Sequence, residues 1–356
     1  MLRLHFHPAL LLLAALSFAP KITAAQTAGA TWTFAVSGDS RNCGDFVMSA
    51  IAAKVKAEND AFYWHLGDFR WLTLADQHME ALQPGGKELS HFAYQQLAWD
   101  DFLTHQMAAF GAFPVFLARG NHENVHPMTR EGYIAKFSSF LNRPEIVAQR
   151  VADGAAAAPP QPWYHWTRGG VDFITLDNAG KNEFSDAQLQ WLRAVLDRDL
   201  ASNSGIRTIV AGMHEALPHS TSSNHAMDDW ELGLRTGEQV YSWFVAAQAA
   251  GRHVYLIASH SHYYAPNIFN TPFLKQQNKV LPGWIIGLAG AHRYKLPPVT
   301  DKASRTNIYG YMQGNVQTDG SIGFSLRELT ENDLVQSKWP NAPLAAIHEC
   351  FIHNSD

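Results

Sequence analysis

The chain has 356 residues, 46% of them apolar and 17% charged, a composition typical of core-forming proteins that excludes disorder as the main state. Lys and Arg number 27 against 32 Asp and Glu, so the net charge of -5 gives no electrostatic reason to expect nucleic acid as a partner. The 18 His and 2 Cys exclude a disulfide-rich scaffold and draw attention to metal binding by imidazole. Cys43 and Cys350 lie near opposite ends of the chain, so the sequence leaves open whether they pair.

Residues 1–25 have the features of a signal peptide. A basic start at Arg3 is followed by the apolar run 9–19 and by small residues around Ala24. That run is shorter than the roughly 20 residues that cross a bilayer. We therefore expect cleavage near Ala24, export to the periplasm or the medium, and no stable membrane insertion afterwards; an uncleaved anchor is the alternative. Residues 26–356 show no break between separate cores and are predicted to form one domain.

Short apolar runs of strand length alternate with helical patterns along the rest of the chain. Their β-branched and aromatic content predicts strands at 31–37, 61–66, 112–118, 171–176, 207–212, 253–258 and 284–289. A helix is predicted after Asp45, with Val47, Ile51 and Val55 on one face. The alternation favours an α/β layered fold around a buried central sheet.

Two later segments have distinct patterns. A helix is predicted to start at Ser185 as N-cap, with Gln188 as its capping-box partner. This helix would bury apolar residues at spacings of three and four, namely Leu189, Leu192, Leu196 and Leu200. The segment 309–329 instead favours an antiparallel hairpin that turns at Asp319-Gly320.

Polar clusters directly follow five of the predicted strands. Asp, Asn and His dominate these clusters, which are Gly38-Asp39-Ser40-Arg41, Gly67-Asp68, Gly120-Asn121-His122-Glu123, His214 and His260-Ser261-His262. Because the carboxyl ends of parallel strands open onto one crevice, we expect the clusters to converge. Carboxylate, amide and imidazole ligands without thiolate suit Zn²⁺, Mn²⁺, Fe or Mg²⁺. The glycines before Asp39, Asp68 and Asn121 would allow the sharp turns that such a site needs.

This ordered set of motifs resembles the calcineurin-like metallophosphoesterase superfamily over residues 31–290. The resemblance implies a two-sheet sandwich flanked by helices, in four layers α/β/β/α. It also implies two divalent metal ions and hydrolysis of a small-molecule phosphate ester, either a monoester or a diester. Water coordinated between two ions has its pKa lowered to about 7, so the implied nucleophile is a metal-bound hydroxide.

Carried over to this chain, the resemblance implies a role for each motif residue. Asp68 would bridge both metals, and Asp39 and His262 would bind the first. The second metal would be held by Asn121, His214 and His260. His122 would then be free to protonate the leaving oxygen as general acid, oriented by Glu123 or by another carboxylate.

Two residues depart from the family pattern. Arg41 stands where many relatives have a metal-binding His, and its guanidinium cannot ligate a cation because it stays protonated. The first metal site therefore lacks a ligand and should be weaker, and we expect Arg41 to contact substrate phosphate through its planar fork. The alternative is that Arg41 lowers the occupancy of the first site, so that one metal does most of the catalysis. Trp71 stands where purple acid phosphatases have a metal-binding Tyr, so an iron-tyrosinate colour should be absent.

Some alternatives remain open at the level of the sequence. A catalytically weak or inactive member of the same fold, which binds a ligand or partner, is the second candidate function. A serine hydrolase has no support because no Gly-x-Ser-x-Gly elbow occurs. His65 lies in an apolar run and is predicted to pack in the core, whereas His292 is a candidate contact to substrate or to a metal ligand.

Overall fold

A computed structural model describes residues 32–72, 76, 89–180, 183–222, 225–337 and 343–355. The predicted signal peptide, residues 1–25, lies outside the described residues, so its cleavage stays a prediction. Among the described residues, no helix combines the length and apolarity required to span a bilayer.

The described residues contain eleven strands and ten α-helices. The strands are β1 (Trp32–Ser37), β2 (Tyr63–His65), β3 (Val115–Leu117), β4 (Tyr164–Arg168), β5 (Val171–Thr175), β6 (Thr208–Met213), β7 (His253–Ala258), β8 (Tyr264–Pro266), β9 (Gly283–Ile286), β10 (Tyr309–Val316) and β11 (Ile322–Leu329). The helices are α1 (Gly44–Ala57), α2 (His91–Asp101), α3 (Arg130–Lys136), α4 (Ser138–Leu141), α5 (Pro144–Ala152), α6 (Asp186–Leu200), α7 (Glu231–Ala249), α8 (Pro272–Gln276), α9 (Glu331–Gln336) and α10 (Leu344–Ile352). A π-helical turn covers Phe102–Gln106, and 3₁₀ turns cover Met107–Phe110, Asn121–Asn124 and Met227–Asp229.

The strands form two sheets rather than the single central sheet that the alternation of elements predicted. One sheet has the order β11-β10-β1-β2-β3 and the other the order β4-β5-β6-β7-β9-β8. Strands β1, β2 and β3 run parallel, as do β5, β6, β7 and β9. Helices flank both sheets, so the α/β sandwich implied by the family resemblance is confirmed.

Side chains of alternate strand residues supply two separate cores. Phe173 of β5 faces the other sheet and contacts Phe34 and Phe62, with ring centroids 5.0 Å apart in both pairs. The next residue, Ile174, points to the opposite face and belongs to the core under α6 and α7. Period-two alternation in a doubly covered sheet explains why these runs are apolar at almost every position.

The close packing of the two sheets makes Gly212 a sensitive position. A Cβ atom on Gly212 would lie 2.3 Å from the Trp64 ring, whereas one on Gly323 would meet nothing within 4 Å. We expect Gly212→Ala to lower the free energy of unfolding by about 1–3 kcal/mol, because the core cannot take the extra methyl group without strain. Urea unfolding of both variants checks this, with Gly323→Ala as the matched control. Equal shifts for the two variants would contradict it.

Ser185 caps α6 as predicted, and its side chain accepts a hydrogen bond from the Gln188 backbone N–H at 3.4 Å. The predicted capping box is wrong in its second half. The Gln188 side chain instead bonds to the backbone of Asp177, accepting from its N–H and donating to its C=O, both at 2.8 Å. Gln188 is buried, so its amide binds the end of β5 rather than its own helix. Of the four predicted core leucines, Leu200 is only half-buried.

A disulfide joins Cys43 to Cys350 and settles the pairing that the sequence left open. The bond connects the residue before α1 with α10, across 307 residues of sequence. It therefore ties the two ends of the described chain together next to the loop that carries Arg41.

Removing this disulfide should destabilise the fold. Because a cross-link over a long loop restricts the unfolded chain, we expect the double variant Cys43→Ser/Cys350→Ser to lose about 2–5 kcal/mol of unfolding free energy. Urea unfolding with and without dithiothreitol checks this. The reductant should shift the wild type and leave the variant unchanged, and equal midpoints for oxidised wild type and variant would contradict the prediction.

Candidate metal centre

The carboxyl ends of the parallel strands bring the five polar clusters to one edge of the sandwich. Asp39, Asp68 and His260 each adopt a left-handed backbone, with φ of 61°, 59° and 64°. This conformation turns each residue sharply as the chain leaves a strand, and Asp tolerates it better than most residues. Sharp turns were expected at the preceding glycines, and this is confirmed at Gly67, whose φ is 95°, whereas Gly38 and Gly120 do not have a positive φ. Gly120 instead permits a close approach, since a Cβ atom there would lie 2.2 Å from Asp68 Oδ1.

Asp68, Asn121, His214 and His260 form one group of converging ligand atoms. His214 Nε2 lies 2.8 Å from Asn121 Oδ1, 3.0 Å from His260 Nδ1 and 3.3 Å from Asp68 Oδ1. His214 Nδ1 lies 2.9 Å from the Leu66 carbonyl oxygen, to which it donates, so Nε2 is the nitrogen that faces the group. These are the four residues expected at the second metal.

Asp39, Asp68 and His262 form a second group, with ligand atoms within 4.8 Å of one another. His262 Nε2 lies 3.4 Å from Asp39 Oδ1, and the backbone N–H of His260 donates to Asp39 Oδ2 at 2.7 Å. Asp39 Oδ1 is buried without a hydrogen-bond partner. Asp39, Asp68 and His262 are the three residues that were expected to bind the first metal. The Arg41 guanidinium, however, lies among them.

The Arg41 guanidinium is buried within this second group. Nη2 lies 2.7 Å from His262 Nε2, Nη1 lies 3.4 Å from Asp68 Oδ2, and Nη1 also contacts His122 Nε2. The Trp71 ring covers the guanidinium, with 5.4 Å between its centroid and the guanidinium carbon. Arg41 therefore faces the residues that were expected to bind metal.

His122 lies at the more open side of the site. Its Nδ1 donates to the Trp71 carbonyl oxygen at 2.9 Å, which leaves Nε2 facing the centre. Glu123, one of the carboxylates expected to orient His122, does not do so. Its oxygens accept from the backbone N–H groups of Asp68, Phe69 and Gly120 at 2.7–3.0 Å, because the loop after β2 packs directly on it.

Burial and mutual charge shift the pKa values of the site residues. Burial acts to raise the pKa of Asp68, but the charges of His214, His122 and Arg41 outweigh it and lower this pKa. Burial and Arg41 lower the pKa of His262 to about 4. For His214, burial opposes protonation but Asp68 and Asp39 raise the pKa above its usual value. Burial and the Asp68 charge raise the pKa of Glu123 to about 7.

Several contacts at the site were not predicted from the motifs. The Tyr294 ring stacks on His262 with centroids 3.9 Å apart, and its hydroxyl lies 3.4 Å from Arg41 Nη2. The backbone carbonyl of His292 accepts from His262 Nδ1 at 2.5 Å, so His292 contributes through its backbone to the position of a predicted ligand. The sequence feature that pointed to these contacts is the segment that begins at Gly290, because it follows a strand that ends at the same edge of the sandwich as the metal centre. His65 is fully buried, as predicted.

A two-sheet sandwich with such Asp, Asn and His groups at the carboxyl ends of its strands defines the metallophosphoesterase class of proteins. The chain belongs to the calcineurin-like phosphoesterase family, whose model matches residues 33–264. No curated protein matches the sequence.

Solved structures share this fold at low sequence identity. A dimetal phosphatase from Danio rerio superposes with a TM-score of 0.54 and 14% identity, over 84% of this chain and 96% of the other. A purple acid phosphatase from yellow lupin gives a TM-score of 0.52 and 15% identity, over 85% of this chain and 55% of the other. The structure of PhoD superposes with a TM-score of 0.50 and 14% identity, over 84% of this chain and 71% of the other. At 14–15% sequence identity, these similarities show that the fold is shared and nothing further.

Proposed function

We propose that this protein is a metal-dependent phosphoric ester hydrolase whose metal is held by Asp68, Asn121, His214 and His260. The observation that carries the proposal is the convergence of acceptor atoms around His214 Nε2, all within 3.3 Å. Asp68 Oδ1 and Asn121 Oδ1 can only accept, so the group needs a proton or a cation at its centre. The raised pKa of His214 is consistent with this, because the neighbouring Asp68 and Asp39 carboxylates favour a proton on its imidazole.

The donor set fits a divalent metal. Asp68 and His214 are buried and Asn121 and His260 are half-buried, and the oxygen and nitrogen atoms of these four residues suit Zn²⁺, Mn²⁺, Fe or Mg²⁺. The Leu66 carbonyl fixes the His214 tautomer, as is usual for a ligating imidazole. When bound, the metal would polarise a phosphoryl oxygen and lower the pKa of a water nucleophile.

His122 is proposed as the general acid and Arg41 as the phosphate contact. The Trp71 carbonyl holds His122 Nδ1, so Nε2 is the nitrogen directed at the leaving oxygen. Arg41 Nη1 now donates to that Nε2. A substrate phosphate oxygen would compete with His122 for the Nη1 protons, because charge-assisted bonds to phosphate are stronger, and would free Nε2 for the proton it delivers.

The proposed substrate is a small-molecule phosphate ester, and monoesters and diesters both fit the site. We also propose export from the cytoplasm. The Cys43–Cys350 disulfide supports this, because disulfides persist mainly in oxidising compartments.

Hydrolysis of an aryl phosphate and of a bis-aryl phosphodiester tests the proposal. Protein stripped with a chelator should turn over neither ester, and adding Mn²⁺ or Zn²⁺ should restore turnover of at least one. If no metal supports turnover of either ester while His122→Ala still binds phosphate like the wild type, the protein is a binding member of the fold and the proposal fails.

A further inference from the structure

The position of Arg41 bears on the number of metal ions that the site holds. Its guanidinium lies between Asp68 and His262, with Nη1 at 3.4 Å from Asp68 Oδ2 and Nη2 at 2.7 Å from His262 Nε2. With Asp39, these two residues were expected to bind the first metal. A cation from the chain itself therefore lies where a metal ion was expected.

We infer that the Arg41 guanidinium takes the place of the first metal ion, so that the protein holds one divalent metal per chain. The inference rests on the proposed function for the metal itself, which the group of Asp68, Asn121, His214 and His260 retains. Asp68 would then help to hold the metal, while its Oδ2 forms an ion pair with the guanidinium at 3.4 Å.

His262 has only one nitrogen lone pair available for a metal, and this supports the inference. His262 Nδ1 donates its proton to the His292 carbonyl oxygen at 2.5 Å, so Nε2 carries the one lone pair that His262 can offer. Arg41 Nη2 donates to that same nitrogen. A metal at the first position would have to displace Arg41 from it.

Arg41 is also held firmly in this place. Only 4% of its surface is exposed. Trp71 covers one side of the guanidinium, and the Tyr294 hydroxyl lies 3.4 Å from Nη2. Displacing the guanidinium would separate a buried cation from Asp68, which is costly in a low-dielectric site. Asp39 Oδ1 has no hydrogen-bond partner, and the Asp39 charge also favours the protonated guanidinium.

The charges at the site also favour one metal. Asp39 and Asp68 supply two negative charges, whereas one divalent ion and Arg41 supply three positive charges, leaving a net charge of about +1 for an anionic ester to neutralise. A second divalent ion would raise this net charge to about +3 in a buried site.

Elsewhere in the described part of the chain, an arginine fills a similar group. Asp45, Asp101 and His105 have ligand atoms within 4.8 Å of one another, as expected for a metal site. Arg70 Nη2 lies 2.5 Å from Asp45 Oδ1 and also contacts Asp101, and Arg70 is almost fully buried. In this protein a guanidinium therefore neutralises an Asp-rich group at a second place as well.

Metal stoichiometry tests the inference without any substrate. Metal-depleted protein is titrated with Mn²⁺ by calorimetry, and bound metal is counted by elemental analysis after gel filtration. We expect one tightly bound Mn²⁺ per wild-type chain, with the paramagnetic resonance spectrum of an isolated ion. Arg41→His, which supplies a ligand and removes the cation, should bind two, with a spectrum of exchange-coupled ions. Arg193→His, at an exposed position on α6, is the matched control and should bind one.

Each other result overturns a defined part of the account. Two tightly bound ions in the wild type would overturn the inference and leave the proposed function intact, as would a single ion in a folded Arg41→His variant. No bound metal in the wild type would overturn the proposed function itself. The wild-type count decides the matter even if Arg41→His does not fold.

Discussion

Replacing His214 with alanine is expected to abolish metal binding and to lower phosphate ester hydrolysis by at least about a thousand-fold. His214 Nε2 lies at the centre of the ligand group, within 3.3 Å of Asn121, His260 and Asp68. A metal contributes several kcal/mol of transition-state stabilisation, and a loss of roughly 4 kcal/mol corresponds to that factor. Elemental analysis and kcat/KM measured on the same preparation check both parts of the prediction.

His253→Ala is the matched control for this variant. His253 is exposed at the start of β7, and its replacement should leave metal content and kcat/KM unchanged. Circular dichroism shows whether His214→Ala has folded. A folded His214→Ala protein that retains its metal and its activity would show that the ligand group has been assigned wrongly.

Replacing His122 with alanine is expected to slow hydrolysis by an amount that depends on the leaving group. A general acid contributes about 10²- to 10³-fold when the leaving oxygen is basic, as in a phenyl or alkyl phosphate. A nitrophenolate leaves without a proton, so its ester should lose less than about tenfold. Measuring kcat/KM for both esters with wild type and variant checks the prediction.

The two esters provide an internal control, because a general loss of structure would slow both reactions equally. Metal content should equal that of the wild type, since His122 is not among the proposed ligands. Equal losses with both esters, or loss of the metal, would contradict the general-acid role.

The regular elements of the fold were largely predictable because their patterns are local. The strand predicted at 253–258 has the same bounds in the structure, and the hairpin turns at Asp319-Gly320 as expected. The strands predicted at 61–66 and 112–118 are shorter, Tyr63–His65 and Val115–Leu117. Their terminal residues leave the sheet early, and the chain beyond each strand end turns into the site.

The division into two sheets could not be derived from the alternation of strands and helices. A doubly covered parallel strand is apolar on both faces whether its partner layer is a helix or a second sheet. The second sheet is held against the first by the aromatic contacts of Phe34 and Phe62 with Phe173. These contacts join residues over 100 positions apart in sequence, so no local pattern predicts them. The family resemblance supplied what the pattern lacked.

The motif residues of the candidate site were predictable as a set, but their contacts were not. The position of each cluster after a strand predicted that they would meet. The pairing of Arg41 with His262, and the hydrogen bond from His122 to the Trp71 carbonyl, join distant segments through side-chain geometry. The contacts of Glu123 were equally unpredictable from sequence. Although Glu123 is next to His122 in the chain, it binds the backbone of the loop after β2 and does not orient His122.

The most direct test of metal-dependent phosphoester hydrolysis is a titration of metal-depleted protein with Mn²⁺ while bound metal is measured together with cleavage of an aryl phosphate and of a bis-aryl phosphodiester. We predict that cleavage is absent without metal, rises in proportion to bound Mn²⁺ and reaches its plateau at one ion per chain. Cleavage that persists in metal-depleted protein, or that does not appear at any Mn²⁺ concentration with either ester, would contradict the account.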